Sequence, residues 1–295
     1  AGFNFGIAHV NVKLRGDESY ADEQFVASLA KRLKVPFFSV SFDTLSEAKQ
    51  QGVSIQMAAR DLRYAWFEKI RSAYGYKYVA LAHHRGDTVE TMLLNLVRGT
   101  GVAGLHGILP KRDAFIRPLL DFSRQEIDQM IDDLAISYRE DSSNTSSKYA
   151  RNKLRLEVIP LLKALNPSLE KTFEANRKRF ADLEVLLQQR VAELRDRHFK
   201  IIAPGEWKIE LAALKGLQPL DTLLFELFKP FGFSQSVLQD LYRSWEGEVG
   251  RKFESATYVL LLDRAYLLLS ERRASFDDQA ISIYADDDQA FWGNW

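Results

Sequence analysis

The 295-residue chain contains no cysteine. This absence excludes disulfide bonds, cysteine-based metal sites and thiol catalysis, and it is consistent with a reducing cytoplasm. The sequence also lacks an apolar run long enough to span a bilayer, and its first residues do not resemble a signal peptide, so no membrane partner is expected. Because 40 basic residues balance 40 acidic ones, no overall positive field points to a nucleic-acid partner. Such a partner has to be inferred from local patches.

The composition that is present, 46% hydrophobic and 27% charged, is typical of a globular protein with substantial cores. The length predicts two domains and part of a third. We expect a first domain over residues 1–166, a second over 167–272 and the start of a further, truncated domain over 273–295. The chain begins at Ala1 and enters a strand-like run almost at once. We therefore expect a fragment that lacks an N-terminal piece.

Hydrophobic periodicity alternates between the strand and the helix period in the first half of the chain. Strands are predicted over residues 4–10, 35–42 and 76–82, and helices over 20–33, 54–73 and 87–97. This order predicts βαβ units and an α/β fold with a doubly wound, mainly parallel sheet whose first strand is missing. Beyond Asn166-Pro167-Ser168 the chain is predicted to be mostly helical, and it ends in a β-hairpin around Asp263-Arg264.

The run from Leu81 to Gly101 carries the candidate site. His83 and His84 follow the third predicted strand, where ligands of doubly wound sheets bind. Asp87 and Glu90 are three residues apart and project to the same side of the next helix. Three interpretations are open: acids that favour a first helical turn through the macrodipole, a pocket for a cationic or nucleotide substrate, or a metal site. Adjacent histidines tend to point to opposite sides, which disfavours the metal.

The stretch GTGVAG, residues 99–104, matches the glycine-rich dinucleotide pattern. That motif requires a preceding strand, and here a helix precedes it. We therefore predict no nicotinamide cofactor, and we expect Gly99 and Gly101 to end the helix and allow a sharp turn.

Two arginine groups suit phosphate recognition, because each guanidinium donates two parallel hydrogen bonds. Arg60 and Arg63 are nearly one helical turn apart, and Arg151 and Arg155 are four residues apart with Lys153 between them. A solvated helix face is the alternative for any single arginine. A candidate RNA-facing stripe, interleaved with phenylalanines, contains Lys171, Arg177, Lys178 and Arg179.

Six blocks resemble the bacterial tRNA(Ile)-lysidine synthases, N-type ATP pyrophosphatases of the PP-loop superfamily. In order, they are HVNVKLRGDES, ARDLRY, ALAHHRGDTVETMLLNLVRGTGVAGLHGI, IRPLL, YREDSSN and YARNKLRLEVIPLL. The resemblance implies a ligase that joins free L-lysine to the wobble cytidine of an isoleucine tRNA with a CAU anticodon. ATP, with Mg²⁺, adenylates the cytosine C2 oxygen, and the lysine ε-amine attacks C2 as AMP leaves. The resemblance further implies a cytoplasmic location and allows a homodimer.

The resemblance also implies roles for individual residues. Asp87 and Glu90 hold the lysine ammonium, and one of them is the candidate base. Arg63 and Arg155 stabilise the phosphate or polarise the reacting centre. The implied nucleotide-binding residues are His9, His83, His84, Arg98 and Gly101. The implied tRNA-binding residues are Arg151, Lys153, Arg177 and Lys178. No metal-ligating residue is expected.

The chain departs from the family in three places. The phosphate-binding loop of the form Ser-Gly-Gly-x-Asp-Ser is absent and is expected upstream of Ala1, after a strand central to the sheet. Without this backbone cradle the chain as given is predicted to be catalytically inactive or crippled. Gly86 stands where the family often has an acidic residue, and Val12 where it often has histidine.

Three other functions compete with this interpretation. The nearest is another PP-loop tRNA-modifying enzyme, such as a thiolase, although enzymes that need cysteine pairs or iron–sulfur clusters are excluded here. The others are a metal-dependent hydrolase and a non-catalytic RNA-binding fragment.

Overall fold

The structure is a computed structural model that describes residues 2–141, 150–247 and 249–272. It divides into two compact units, Ala1–Leu183 and Glu184–Trp295. The boundary between them falls within one long helix, Leu169–His198. The predicted domain boundary near Asn166 coincides with the start of that helix and stays a prediction. The predicted third domain at 273–295 lies outside the described residues.

Strands and helices alternate along the first unit, which confirms the predicted α/β class. The strands are β1 (Ile7–Asn11), β2 (Phe37–Ser41), β3 (Val79–Ala80), β4 (Lys111–Arg112) and β5 (Phe115–Ile116). The helices are α1 (Asp17–Leu33), α2 (Thr44–Gln51), α3 (Ile55–Ala73), α4 (Arg85–Arg98), α5 (Val102–Leu105), α6 (Arg124–Asp133), α7 (Ala150–Lys153), a π-helical turn (Leu154–Val158), α8 (Ile159–Leu165) and α9 (Leu169–His198).

The strands of this unit are mainly parallel, as predicted, but they fall into two groups. β1 pairs with β2 in parallel, and β3 pairs with β5 in parallel while β4 adds an antiparallel edge. In the described part of the chain the two groups are not hydrogen-bonded to each other. A cleft of about 880 Å³ is lined by both groups, including Ala8 of β1 and Ala80 of β3.

Each of the two strand groups turns backbone N–H and C=O groups that are unpaired within the described chain towards this cleft, as the hydrogen bonds on its other side indicate. The N–H groups of Val79 and Leu81 donate to carbonyls of the β5 segment, and that of Ile7 donates to the β2 segment. Because backbone groups alternate in direction along a strand, Ala80 and Ala8 turn theirs to the opposite side. Each strand group therefore presents an edge to the cleft.

Side-chain caps fix where several helices begin and end. Ser54 accepts a hydrogen bond from the Met57 N–H at 3.2 Å and starts α3. Ser123 and Glu126 form a capping box at the start of α6. Gly99, with a φ of 80°, ends α4 as predicted. Since α4 precedes the glycines, GTGVAG lacks the strand that a dinucleotide site requires.

The second unit contains the end of α9 and an antiparallel sheet. Its strands are β6 (Phe199–Ala203), β7 (Glu206–Glu210), β8 (Lys252–Glu254), β9 (Tyr258–Leu262) and β10 (Tyr266–Glu271), in the order β6-β7-β10-β9-β8. Its other helices are α10 (Leu211–Lys215), α11 (Leu220–Phe228), a 3-10 turn (Lys229–Phe231) and α12 (Gln235–Arg243). The predicted hairpin is confirmed as β9–β10.

The sheet is larger than the sequence predicted, because β6 and β7 lie in a segment expected to be helical and β8 adds a strand to the predicted hairpin. β6 is an edge strand whose Ile201 is 75% exposed, so its apolar residues do not alternate with burial. Alternation is clear in the neighbouring strands β9 and β10, where Leu260, Leu262, Leu267 and Leu269 are buried. They share the core with Ile209 and Phe228, and each buried side chain of this size stabilises the fold by about 1.5–3 kcal/mol.

None of the helices in the described part of the chain combines the length and apolar character that a bilayer crossing requires.

Candidate active site

The first turn of α4 follows β3 and is held by side-chain caps. Nδ1 of His84 accepts a hydrogen bond from the Gly86 N–H at 3.0 Å, and Oδ2 of Asp87 accepts one from the His84 N–H at 2.9 Å. These contacts satisfy N–H groups that the helix cannot pair itself. Asp87 thus has the local role of an acid in a first helical turn. His84 has a capping role, and its contact with a nucleotide stays a prediction.

Glu90 lies one turn further along α4 and is only 2% exposed. Arg155, from the π-helical turn, donates to it through Nε at 2.5 Å from Oε1 and Nη2 at 3.0 Å from Oε2. This bidentate ion pair raises the pKa of the Arg155 guanidinium. A carboxylate at this depth requires such a partner. A role at the helix terminus therefore does not account for Glu90.

Arg151, from α7, bridges the two acids. Its Nε lies 2.6 Å from Oε2 of Glu90, and its Nη2 lies 2.9 Å from Oδ1 and 3.5 Å from the carbonyl oxygen of Asp87. Nη2 of Arg155 is also 3.7 Å from Oδ1 of Asp87. We call these four side chains, Asp87, Glu90, Arg151 and Arg155, the carboxylate cluster. Its two negative and two positive charges cancel.

His83 lies beside this cluster. Its Nδ1 is buried and has no hydrogen-bond partner in the described part of the chain. Burial lowers the pKa of His83 to about 4, against the opposing effect of Asp87. Positive charge from nearby Arg117, Arg151 and Arg60 also lowers this pKa. The ring is therefore neutral at pH 7, with a nitrogen available for a ligand.

Three further arginines, Arg60, Arg63 and Arg117, form what we call the arginine cluster. No ion pair joins any of them to a carboxylate within the described residues. Arg60 packs over the Tyr64 ring at 4.7 Å, and the surrounding protein lowers the pKa of Arg63 by desolvation. Cations that lack acidic partners suit an oxygen-rich anion such as phosphate.

Arg117 was not predicted as a site residue. It is 8% exposed, its Nη1 donates to the Leu109 carbonyl at 2.8 Å, and its Nε is buried without a partner in the described chain. Its position in the IRPLL block is the signal that could have identified it. A buried arginine with an unused donor belongs among the candidate anion-binding residues.

The carboxyl end of β1 contributes a polar group on the same sheet edge. Burial lowers the pKa of His9, against Glu23 and Asp22, and nearby Arg63 lowers it as well. Nδ2 of the buried Asn11 donates to Glu23 at 3.0 Å, and the Ser39 hydroxyl donates to the same carboxylate. The hydrogen bond from Ser39, and then that from Asn11, lower the pKa of Glu23. The sequence interpretation had included His9 but not the Asn11–Glu23 pair.

Two predicted nucleotide-binding residues lie elsewhere. Arg98 ends α4, about 16 Å along the helix axis from Asp87 at 1.5 Å per residue. Gly101 is the N-cap of the short helix α5. The structure brings neither into the two clusters, and their contact with a nucleotide stays a prediction.

The four predicted tRNA-binding residues differ in their surroundings. Arg177 is 5% exposed and donates to Asp121 at 2.9 Å, so its guanidinium is part of the packing of the first unit. Arg151 belongs to the carboxylate cluster. Lys153 and Lys178 face solvent. Contact of these residues with RNA stays a prediction.

In the described ranges, no three His, Asp or Glu side chains converge to form a set of metal ligands. The cap uses the His84 ring, and guanidinium groups engage both carboxylates.

Comparisons with known proteins identify the family of the chain. Residues 1–162, more than half of the chain, match the PP-loop domain family, and the chain belongs to that family. Residues 202–272 match the family described as the TilS substrate binding domain.

Within that class, the chain is similar to proteins named tRNA(Ile)-lysidine synthase, as the resemblance predicted. It is 40% identical to that of Parabacteroides distasonis over 262 residues, covering 89% of this chain and 59% of the relative. It is 38% identical to that of Bacteroides thetaiotaomicron over 273 residues, covering 92% and 63%. The enzyme of Porphyromonas gingivalis is 39% identical over 264 residues, covering 89% and 57%. The chain spans about three fifths of the length of these curated relatives.

A solved structure of U34-tRNA thiolase NcsA from Methanococcus maripaludis, with its 4Fe-4S cluster, aligns with a TM-score of 0.49 at 14% identity. The alignment covers 59% of this chain and 61% of that one, a likeness too weak to support a conclusion.

Proposed function

We propose that this chain is the catalytic part of a tRNA(Ile)-lysidine synthase, which uses ATP to join free L-lysine to the wobble cytidine of an isoleucine tRNA with a CAU anticodon. The names of its relatives indicate the enzyme class. The structural observation that carries the proposal is the pair formed by the buried Glu90 and the half-buried Asp87, next to His83. Arg60 and Arg117, which have no carboxylate partner in the described chain, also lie near His83. A reaction between an amine and an ATP-activated base needs one region for a cation and another for phosphates.

Asp87 and Glu90 form the proposed amine site. Their oxygens accept hydrogen bonds from the lysine ammonium, and one carboxylate takes its proton before the amine attacks. We assign the base to Asp87. Its side chain is 14% exposed, whereas Glu90 is 3% exposed and held in the bidentate pair with Arg155.

The arginine cluster forms the proposed phosphate site. When bound, ATP supplies the activation of the cytosine C2 oxygen. The residues fit its charge, since Arg60 and Arg63 carry guanidinium groups without an acidic partner in the described chain, and Nδ1 of His83 is unused. Mg²⁺ enters the proposal through the family resemblance alone.

A further parallel strand, carrying the phosphate loop, is proposed to fill the cleft between β1 and β3. Three observations support this part of the proposal: the cleft is lined by both strands, backbone edges face it, and Ala8 and Ala80 are small and exposed. Because parallel strands end at the same edge of a sheet, a loop after this strand would emerge at the candidate site.

The second unit is proposed to contact the tRNA, because residues 202–272 match a substrate-binding family. Phosphate contacts would make this affinity fall with salt. A cytoplasmic location follows from these substrates and belongs to the proposal. A homodimer stays a prediction of the resemblance.

Incorporation of labelled lysine into an isoleucine tRNA transcript tests the proposed function. The assay compares this chain with one extended by the upstream strand and loop. We expect the extended chain to be active and this chain to be at least about a hundredfold slower, since it lacks backbone donors to the phosphates. Equal activity of the two chains would remove the loop from the proposal.

The substitution Asp87→Asn in the extended chain tests the amine site. Asparagine keeps the oxygen that accepts from the His84 N–H, so α4 retains its cap. We expect lysine use to be abolished while tRNA binding is unchanged. Asp61→Asn, at an exposed position on α3, is the matched control. Turnover equal to the control would exclude Asp87 from the site.

A further inference from the structure

We infer that Arg151 occupies the place of the substrate ammonium group, and that an incoming primary amine binds by displacing it. The identity of that amine as lysine rests on the proposed function. The displacement itself rests on the geometry of the carboxylate cluster.

The first argument is the number of acceptors that Arg151 contacts. Its Nε and Nη2 donate to three oxygens: Oε2 of Glu90, Oδ1 of Asp87 and the main-chain oxygen of Asp87. An alkylammonium group has three N–H donors and no acceptor. The Thr91 hydroxyl already donates to the main-chain oxygen at 2.8 Å, so the two carboxylate oxygens are the acceptors that a single ammonium nitrogen at this position would take over.

The second argument is charge. With Arg151 in place, two carboxylates face two guanidinium groups, and the cluster has no net attraction for another cation. When Arg151 turns away, Asp87, Glu90 and Arg155 leave a net charge of −1. One alkylammonium group restores neutrality. The site therefore accepts one amine for each arginine that leaves.

The third argument concerns which side chain can leave. Arg155 holds both oxygens of Glu90, so this buried acid keeps a full ion pair without Arg151. Arg151 makes one short contact to each acid and is 34% exposed, close to the 36% of Arg155, so the two arginines differ in their contacts and not in their exposure. The carboxylates are fixed, and the bridging guanidinium has a route to solvent. Arg151 is thus a positioning residue that sets the affinity of the site for amines.

Calorimetric titration of this chain with n-butylamine and with L-lysine tests the inference. Arg151→Gln removes the competing cation and should tighten butylamine binding by about tenfold, because the open site becomes the populated one. Lys153→Gln is the matched control, since it removes an exposed charge from the same short helix. We expect it to bind like the unchanged chain. Arg151→Lys keeps a tethered cation and should remain weak.

The outcomes separate this inference from the proposed function. Equal or weaker butylamine binding by Arg151→Gln overturns the displacement, as does an equal gain in Lys153→Gln or Arg151→Lys. If Arg151→Gln binds butylamine more tightly but binds lysine no better than norleucine, the ammonium site stands and the assignment of lysine fails. If Arg151→Gln binds both butylamine and lysine more tightly, the displacement of Arg151 and the assignment of lysine are both supported.

A second measurement needs no substitution. In the unchanged chain, the Nε–H resonance of Arg151 should lose its protection from solvent exchange when butylamine saturates the site, while that of Arg155 should keep it. A resonance of Arg151 that does not respond at saturation overturns the inference.

Discussion

The carboxylate cluster and the arginine cluster differ in how their charges are compensated. In the first, two acids and two arginines neutralise one another through contacts as short as 2.5 Å. In the second, Arg60, Arg63 and Arg117 have no carboxylate partner among the described residues. The first cluster is completed by the fold. The second carries positive charge that a bound anion would neutralise.

This difference predicts opposite effects of removing charge. A protein is strongly destabilised when one partner of a buried ion pair is removed, because the charge of the other partner stays buried and uncompensated. Arg60 and Arg63 have no such partner to lose in the described chain, and both are exposed. Loss of charge in the carboxylate cluster should therefore lower stability as well as alter amine binding, whereas in the arginine cluster it should affect anion binding with little effect on stability.

The largest effect is expected for Glu90→Gln. The free energy of unfolding should fall by about 3 kcal/mol, because Arg151 and Arg155 lose the acid that they share. Urea unfolding followed by tryptophan fluorescence measures it. Glu157→Gln, at an exposed position in the π-helical turn, should change stability by less than about 0.5 kcal/mol. A loss below about 1 kcal/mol for Glu90→Gln would contradict the structural role of the cluster.

Protonation of His83, which lies beside the carboxylate cluster, should change the stability of the fold by an intermediate amount. Its pKa is about 4 in the folded chain and 6.5 ordinarily, so the unfolded chain binds more protons between these values. Stability is therefore fully present above pH 6.5 and falls as the pH drops towards 4, by about 2 kcal/mol.

His83→Gln should remove this part of the pH dependence, as measured by thermal unfolding between pH 4 and 7. His198→Gln, in the second unit, controls for the loss of a histidine. If the slope with pH is the same in His83→Gln as in the unchanged chain, His83 is not buried in its neutral form.

The smallest effect on stability is expected for Arg63→Gln. Removing an exposed cation that has no carboxylate partner in the described chain should leave the free energy of unfolding within about 0.5 kcal/mol of that of the unchanged chain. ATP binding should weaken about tenfold, since a charge-assisted hydrogen bond to phosphate is lost. Arg112→Gln, at a position that is 77% exposed, is the control for both measurements. A destabilisation as large as that of Glu90→Gln would remove the distinction between the two clusters.

The secondary structure was predictable wherever burial follows a simple period. Helix α3, predicted over 54–73, spans Ile55–Ala73 because Ser54 caps it and one face is apolar. Strands β6 and β7 were not predicted, since an edge strand such as β6 exposes its isoleucines and loses the alternation that marks a strand. The short helix α2 was also not predicted, although Asp43 caps it.

The sequence predicted candidate residues of the site, but it did not predict the contacts between them. The spacing of Asp87 and Glu90 predicted both acids on one side of α4, where both contact Arg151. The roles predicted for Arg63 and Arg155 stay predictions. The sequence did not predict that Arg151 would bridge the acids, that Arg177 would be buried against Asp121, or that Arg117 would lie near His83.

By itself, the sequence determined the alternation of strands and helices and the common side of the two acids on α4. These features depend on interactions between residues a few positions apart, and a local pattern records them. Only the tertiary structure decided which cations meet those acids. Arg151 and Glu90 are 61 residues apart in the chain, and their 2.6 Å contact exists because the packing of the first unit brings α7 against α4. No local period encodes that choice, so the balance of charge at the site became visible only in three dimensions.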